Sequence, residues 1–308
     1  MTTLASLDDF NLLPPDRTYY RGKVRDVLDI GQNLLLVTTD RISAFDRVLG
    51  VIPYKGEILN RLACWWLEKS ASIVPNHFQR RVGSRSMIGK KAQVIPLEIV
   101  VRGYLTGSAW RDYKEGRPTS GCTFPPGLAK NQAFAQPVIT PSTKALDGEH
   151  DEPISASAIL ERGLVSADLW HQIQAAALSL FDFGTRLAGE QGLILVDTKY
   201  EFGLLPGGEL VVVDEIHTPD SSRYWYADSY HRAYENHEEP RSLDKEFLRS
   251  WLLAQGYSGQ ENPPEIPEDI QEQVSLRYQE LYSRITGEKF TTIDRGFESE
   301  RQELAVIL

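Results

Sequence analysis

Asp197, Lys199 and Glu201 follow Leu193 and Leu195 at every second position of a strand-like run. A period of two places all of them on one face of a strand. A buried strand whose face ends in acid, base, acid has the residue types needed to hold charged phosphates. A second apolar run, Leu210 to Val213, follows across Pro206-Gly207-Gly208, and the pair reads as a hairpin. With Gly207-Gly208 as a two-residue turn, Glu201 lies directly across from Asp214. Opposed carboxylates destabilise a sheet unless a cation neutralises them. Mg²⁺ held by one or two carboxylates plus nucleotide phosphates is the usual arrangement. The competing reading is a solvated strand end whose surface ion pairs are worth little.

Further cations stand at glycines. In Arg21-Gly22-Lys23-Val24-Arg25-Asp26, Lys23 and Arg25 share a face and Gly22 allows a backbone to approach a ligand. Two cations beside a glycine suit a triphosphate, although alternating charge is also common on exposed strands. The run Ile95 to Ser108 leads a buried strand into Arg102, then through a glycine-containing turn to Thr106 and Ser108 at a helix start. An arginine, hydroxyls and free N–H groups there would seat a phosphate or carboxylate. The alternative is a structural pair between Arg102 and Glu98.

The elements that must position these residues can be read from periodicity. Tyr19 to Leu28 and Leu34 to Thr39 form a hairpin around residues 31–33, a helix covers Glu57 to Lys69, and Ala92 to Arg102 returns to strand. Gly116 to Pro153 is rich in Pro, Gly and polar residues and reads as a long functional loop. The strongest helix is Ala167 to Gln191, capped by Ser166 and Gly192, with Leu169, Ile173, Ala176, Leu180, Phe183 and Leu187 as its apolar stripe. Two more helices are expected, from Ser242 to Gly256 and from Pro267 to Gly287.

The chain has 308 residues, 41% hydrophobic and 25% charged, and a net charge of -10 without a basic block. That balance suits a globular protein of two lobes with a cleft between them, and argues against nucleic acid as a partner. Cys64 and Cys122 are too few for a disulfide framework or zinc site. Without a basic, apolar leader or a membrane-length apolar run, a cytoplasmic protein with no membrane partner is expected.

Taken together, Ile95 to Ser108 and Leu195-Val196-Asp197-Thr198-Lys199-Tyr200-Glu201-Phe202-Gly203 resemble the two signature motifs of the phosphoribosylaminoimidazole-succinocarboxamide (SAICAR) synthase family. The resemblance continues through residues 22–26 and 40–46, Thr140 to Lys144 with His150-Asp151, Asp214-Glu215, Asp220-Ser221-Ser222-Arg223, Asp244-Lys245 and Arg249. The order and spacing are those of the longer form of the family. Departures fall at Pro153, Tyr226 and the polar stretch His231 to Arg241.

The resemblance implies an α+β fold with an ATP cleft between two lobes, related in outline to protein kinases and ATP-grasp enzymes. The lobes would be a mainly β part over residues 1–103 and an α/β part over 104–308. It implies a ligase that takes ATP, carboxyaminoimidazole ribonucleotide and L-aspartate to SAICAR, ADP and phosphate through an acyl phosphate, with Mg²⁺ on Glu201 and Asp214. Gly22, Lys23, Arg25 and Lys144 would serve ATP, and Arg102, Ser108, Arg223, Arg249, Ser43 and Asp46 the other substrates. Lys23 and Lys199 would face the transferred phosphoryl group, and Asp197 would orient Lys199 or accept a proton from the amine. The assembly expected is a monomer or homodimer. Rival readings are a different ATP-dependent carboxylate–amine ligase or small-molecule kinase, or a non-catalytic nucleotide-binding protein.

Overall fold

The computed structural model describes residues 3–13, 18–144, 151–293 and 297–308; His150 of the motif read above lies outside them. After a short 3₁₀ helix over Leu7–Phe10 come β1 (Tyr20–Arg21), β2 (Arg25–Asp29), β3 (Asn33–Thr38), β4 (Arg41–Ala44), β5 (Arg47–Val51) and α1 (Lys55–Ser70). The chain continues through β6 (Phe78–Val82), β7 (Ser86–Lys90), β8 (Gln93–Tyr104), α2 (Gly107–Lys114), β9 (Ala133–Thr143), α3 (Ala156–Glu161) and α4 (Ala167–Glu190). The last part is β10 (Leu193–Leu204), β11 (Leu210–Val213), β12 (Ser222–Tyr226), α5 (Ala227–Glu235), α6 (Glu246–Ala254), α7 (Glu268–Thr286) and α8 (Glu298–Ile307).

Two antiparallel sheets result, ordered β1-β2-β3-β7-β6 and β11-β10-β8-β9, and β4 with β5 makes a separate hairpin. The expected α+β class is what the chain adopts. The lobe division expected at residue 103 falls inside β8, whose strand partners β9 and β10 both follow it in the chain. One apolar core spans both halves, from Leu36 and Ile58 to Leu252 and Tyr278. No helix among the described residues is long and apolar enough to cross a membrane.

Helix α4 starts where Ser166 Oγ accepts the Leu169 N–H at 3.2 Å, and Gly192 follows its end at a φ of 69°. Its buried stripe is rotated from the expected one, centring on Ile173, Ala177, Leu180 and Gly184. At Gly184 a Cβ would lie 2.5 Å from the ring of His217, so the helix closes in there on the loop after β11. The expected loop over residues 116–153 contains β9, whose Val138, Thr140 and Ser142 pair with β8 despite the prolines around them. Helix α6 begins later than the expected Ser242. The backbone around Arg241 and Leu243 is hydrogen-bonded to Tyr226 and Tyr224, and Asp244 Oδ1 accepts the Glu246 N–H at 2.7 Å at the helix start. Helix α5 was not expected; it buries only Tyr230 and Ala233.

The hairpin of β10 and β11 differs from the sequence reading by one residue. Its loop is three residues, Pro206 to Gly208, closed by Leu205 and Glu209. Glu201 therefore faces Val213, not Asp214. A one-residue slip moves every side chain to the opposite face. Asp214 escapes that outcome because its φ of 62° ends the strand and redirects the chain.

Candidate active site

A cavity of about 880 Å³ is lined by residues of both sheets, the β4–β5 turn, the loop after β11 and the start of α6. It gathers Gly22, Lys23, Arg25, Ser43, Asp46, Arg102, Lys144, Asp197, Lys199, Glu201, Asp214, Arg223 and Arg249. Ser108 does not line it and meets it only through its hydrogen bond with Arg102.

On the first sheet, the strand expected from Tyr19 to Leu28 is interrupted at residues 22–24. Gly22 N–H donates to Arg25 O at 2.8 Å, and a Cβ on Gly22 would stand 2.8 Å from that same oxygen, so only glycine fits the turn. The interruption presents Lys23, half-exposed, 2.5 Å from Asp46. Asp46 sits on a two-residue turn whose members, Phe45 and Asp46, have φ values of 52° and 60°. Arg25 is buried, and its guanidinium donates to Asp214 at 2.9 Å and to Glu215. Arg25, expected as a phosphate cation, lines the cavity and ties the first sheet to the loop after β11.

On the second sheet, β8 and β10 align charge against charge. Arg102 lies opposite Asp197, and Glu98 opposite Glu201. The opposition expected between Glu201 and Asp214 is not formed; the carboxylate that faces Glu201 is Glu98, on β8. Lys199 Nζ bridges them, 2.6 Å from each, and Lys144 also reaches Glu201. Burial alone would raise the Glu201 carboxyl, but Lys199 and Lys144 outweigh it and hold Glu201 at about 2. Burial prevails at Glu98, whose carboxyl is raised despite Lys199.

Asp197 does not orient Lys199. Its Oδ2 accepts from Arg102 at 3.3 Å and Arg223 at 2.9 Å, which splays two guanidiniums side by side. Arg102 donates to Thr140 at 2.8 Å and to Ser108 at 3.1 Å rather than to Glu98. Gly107, at a φ of 58°, would carry a Cβ 2.9 Å from the Arg223 guanidinium, so glycine lets that arginine lie against the start of α2. Arg249 extends over the Phe45 ring, 4.8 Å from its centre. Two splayed arginines beside a helix start have the donor chemistry that could hold a phosphate.

The loop over residues 214–221 leaves the edge of β10 between β11 and β12, which pair with its two ends. It is pinned at Asp214 by His77, whose Nε2 lies 3.0 Å from Asp214 O, and at its centre by His217, 2.6 Å from the Tyr200 hydroxyl. Burial lowers His217 to about 3, so it is neutral here. Glu201 and Asp214 thus share the cleft without a common register. Among the described residues, no group of three or more His, Cys, Asp or Glu side chains is placed to hold a metal by itself.

A family model described as SAICAR synthetase matches residues 18–266. The chain belongs to the SAICAR synthetase family. The phosphoribosylaminoimidazole-succinocarboxamide synthase of Bacteroides fragilis is 47% identical over 304 residues, which cover 97% of this chain and 96% of that protein. The synthase of Flavobacterium psychrophilum is 46% identical, covering 100% and 98%. Among solved structures, the SAICAR synthase of Saccharomyces cerevisiae complexed with SAICAR superposes with a TM-score of 0.80 at 35% identity, over 95% of this chain and 99% of that one. A type-2 SAICAR synthetase in complex with ADP gives 0.69 at 26%, covering 89% and 100%.

Sequence reasoning missed Lys55, and named Glu215 and Asp220 in motifs without giving them a role; the alternative that paired Arg102 with Glu98 fails, since Glu98 pairs with Lys199. For Glu98 a signal existed. Glu98 and Arg102 stand at i and i+4 on one strand face, the complement of Asp197, Lys199 and Glu201 on an antiparallel neighbour.

Proposed function

We propose that this chain is the ATP-dependent ligase of purine biosynthesis that joins carboxyaminoimidazole ribonucleotide to L-aspartate, releasing SAICAR, ADP and phosphate. The observation that carries the reading is the gathering of Lys23, Lys144 and Lys199 with the Arg102, Arg223 and Arg249 set in one cleft of a SAICAR synthetase family chain. A nucleotide and a second phosphorylated substrate need two such cationic groups. The ligands of related structures, SAICAR and ADP, agree with that division.

A carboxylate is a poor electrophile, so amide formation requires its activation. An oxygen of the imidazole carboxylate attacks the γ-phosphorus of ATP, the bond to the bridging oxygen breaks, and ADP leaves with the electron pair. The aspartate amine then attacks the acyl carbon. The C–N bond forms, the C–O bond to phosphate breaks, and the amine gives up a proton. Lys23 and Lys199 meet charge on the phosphoryl group in flight, while Arg102, Arg223 and Arg249, with Ser108 hydrogen-bonded to Arg102, hold the acceptor beside it. Lys144 and the Gly22 turn would serve the nucleotide phosphates, and Ser43 and Asp46, the latter paired with Lys23, would serve the substrate. Asp197 keeps Arg102 and Arg223 aligned for bidentate contacts.

Glu201, held ionised between lysines, and Asp214, whose carboxylate is part-exposed to the cleft, offer the hard oxygen donors that Mg²⁺ takes. Bound there with nucleotide phosphates, the ion would neutralise their charge. The test follows ADP release with ATP, the ribonucleotide, aspartate or Mg²⁺ omitted in turn, and with ¹⁸O in the imidazole carboxylate. The reading expects a requirement for all four components and transfer of one ¹⁸O to phosphate. Full ADP release without the ribonucleotide would sink the ligase, and unlabelled phosphate would sink the acyl phosphate alone.

A further inference from the structure

Asp220 faces the cleft from the loop after β11, yet each of its carboxylate oxygens already has a donor within the protein. Lys55 Nζ is 2.7 Å from Oδ2, and the Tyr278 hydroxyl is 2.6 Å from Oδ1. Lys55 and Tyr278 are fully buried and the carboxylate nearly so. The donors come from different parts of the chain: Lys55 opens α1, and Tyr278 stands in the middle of α7. The family match ends at residue 266, so α7 lies beyond it. Ser275 Oγ donates to Pro53 O at 2.7 Å, and Arg61 donates to the Tyr282 hydroxyl at 2.7 Å, so α7 is fastened along α1 on both sides of Tyr278.

The loop is therefore clamped at two ends. Arg25 and His77 hold the Asp214 end, and Lys55 with Tyr278 holds the Asp220 end, where Ser222 N–H to Thr218 O at 2.9 Å closes the turn into β12. A buried carboxylate that loses one donor keeps the desolvation cost of its charge without compensation, and the backbone that carries it shifts to recover a partner. Arg223 is three residues further along, and Asp214 six residues back. Displacements of about an ångström in such groups lower turnover by as much as ~100-fold.

We propose that Tyr278 is a positioning residue of the ligase site: its hydroxyl, together with Lys55, fixes the Asp220 carboxylate and thereby the loop that presents Asp214 and leads to Arg223. The proposal rests on the ligase reading and assigns a role to the C-terminal helix that the family-matched segment does not contain.

The test compares Tyr278→Phe with Tyr282→Phe in the full chain. Both remove one buried hydroxyl from α7, but Tyr282 pairs with Arg61 away from the cleft. Steady-state SAICAR formation, melting temperature and amide hydrogen exchange over residues 214–222 would be measured. Tyr278→Phe is expected to lower kcat about tenfold or more with KM for ATP within about twofold, and to speed exchange in the loop. Tyr282→Phe is expected to keep kcat within about twofold even where its melting temperature falls. Normal kcat in Tyr278→Phe, or equal loss in both variants, would overturn the proposal while leaving the ligase standing. A wild-type chain that forms no SAICAR would overturn the ligase reading and this inference with it.

Discussion

Lys199 and Lys23 stand on opposite walls of one cleft and are held in different ways. Lys199 rises from the middle of β10, its ammonium 2.6 Å from both Glu98 and Glu201, opposite Val100 of β8 on one side and with its N–H donating to Ser221 O on the other. Lys23 stands on the interruption between β1 and β2, half-exposed, paired with an equally exposed Asp46. One cation is part of the wall's own charge balance and arrives preorganised. The other is free to follow a phosphate, because an exposed pair contributes only about 0–1 kcal/mol and is readily exchanged. The lesson is that a site can build one face as fixed electrostatics and leave the other adjustable.

The sharpest way to break this comparison is to remove each cation. Lys199→Met is expected to lower turnover on the order of 1,000-fold and to cost about 2–3 kcal/mol of stability, since Glu98 and Glu201 are then opposed with less compensation. Lys23→Met is expected to lower turnover on the order of 100-fold with a stability change below about 0.5 kcal/mol. Urea melts alongside SAICAR formation would decide it; equal stability losses would remove the distinction between the walls.

A smaller effect separates the proposed ribonucleotide seat from the proposed nucleotide cations. Arg223→Lys is expected to raise KM for the imidazole ribonucleotide about 10- to 50-fold and KM for ATP by less than about twofold, because a lysine cannot reproduce a bidentate guanidinium contact. Parallel substrate titrations check this, and a matched rise in both constants would place Arg223 among the nucleotide or structural groups.

The smallest expected effect is on acid stability. Glu201 is pulled from an ordinary value of 4.5 to about 2 in the folded chain, against its burial, by Lys199 and Lys144. An acid depressed in this way stabilises the fold fully above pH 4.5, and the contribution is lost as pH falls toward 2. Glu201→Gln should therefore flatten the acid limb of stability by about 1–2 kcal/mol between pH 5 and 3. Melts across that range would show an unchanged limb if the fixed wall did not depend on this ion.

How much of this could be read beforehand depends on the range of the interaction. Helix α4 was legible because Ser166, Gly192 and a 3.6-residue period are local signals, although the rotation of its stripe toward Gly184 depends on His217. Strand β9 was hidden because Pro137 and Pro141 flank pairing positions that resemble a loop, and only β8 beside it makes it a strand. The cationic and acidic groups of the site were legible as residue types on strand faces. Their partners were not, since Lys199 meets a residue 101 positions away and Lys55 one 165 positions away.

By itself the sequence determined the motif residues, the family they resemble, the main strands and helices, and the charged face of β10. Tertiary structure alone decided what stands opposite that face. A turn of three residues rather than two moved Asp214 out of register with Glu201, and antiparallel pairing with β8 put Glu98 there instead. The physical reason is that strand faces alternate residue by residue, so a single residue of loop length, invisible in composition or periodicity, reassigns every partner across a sheet.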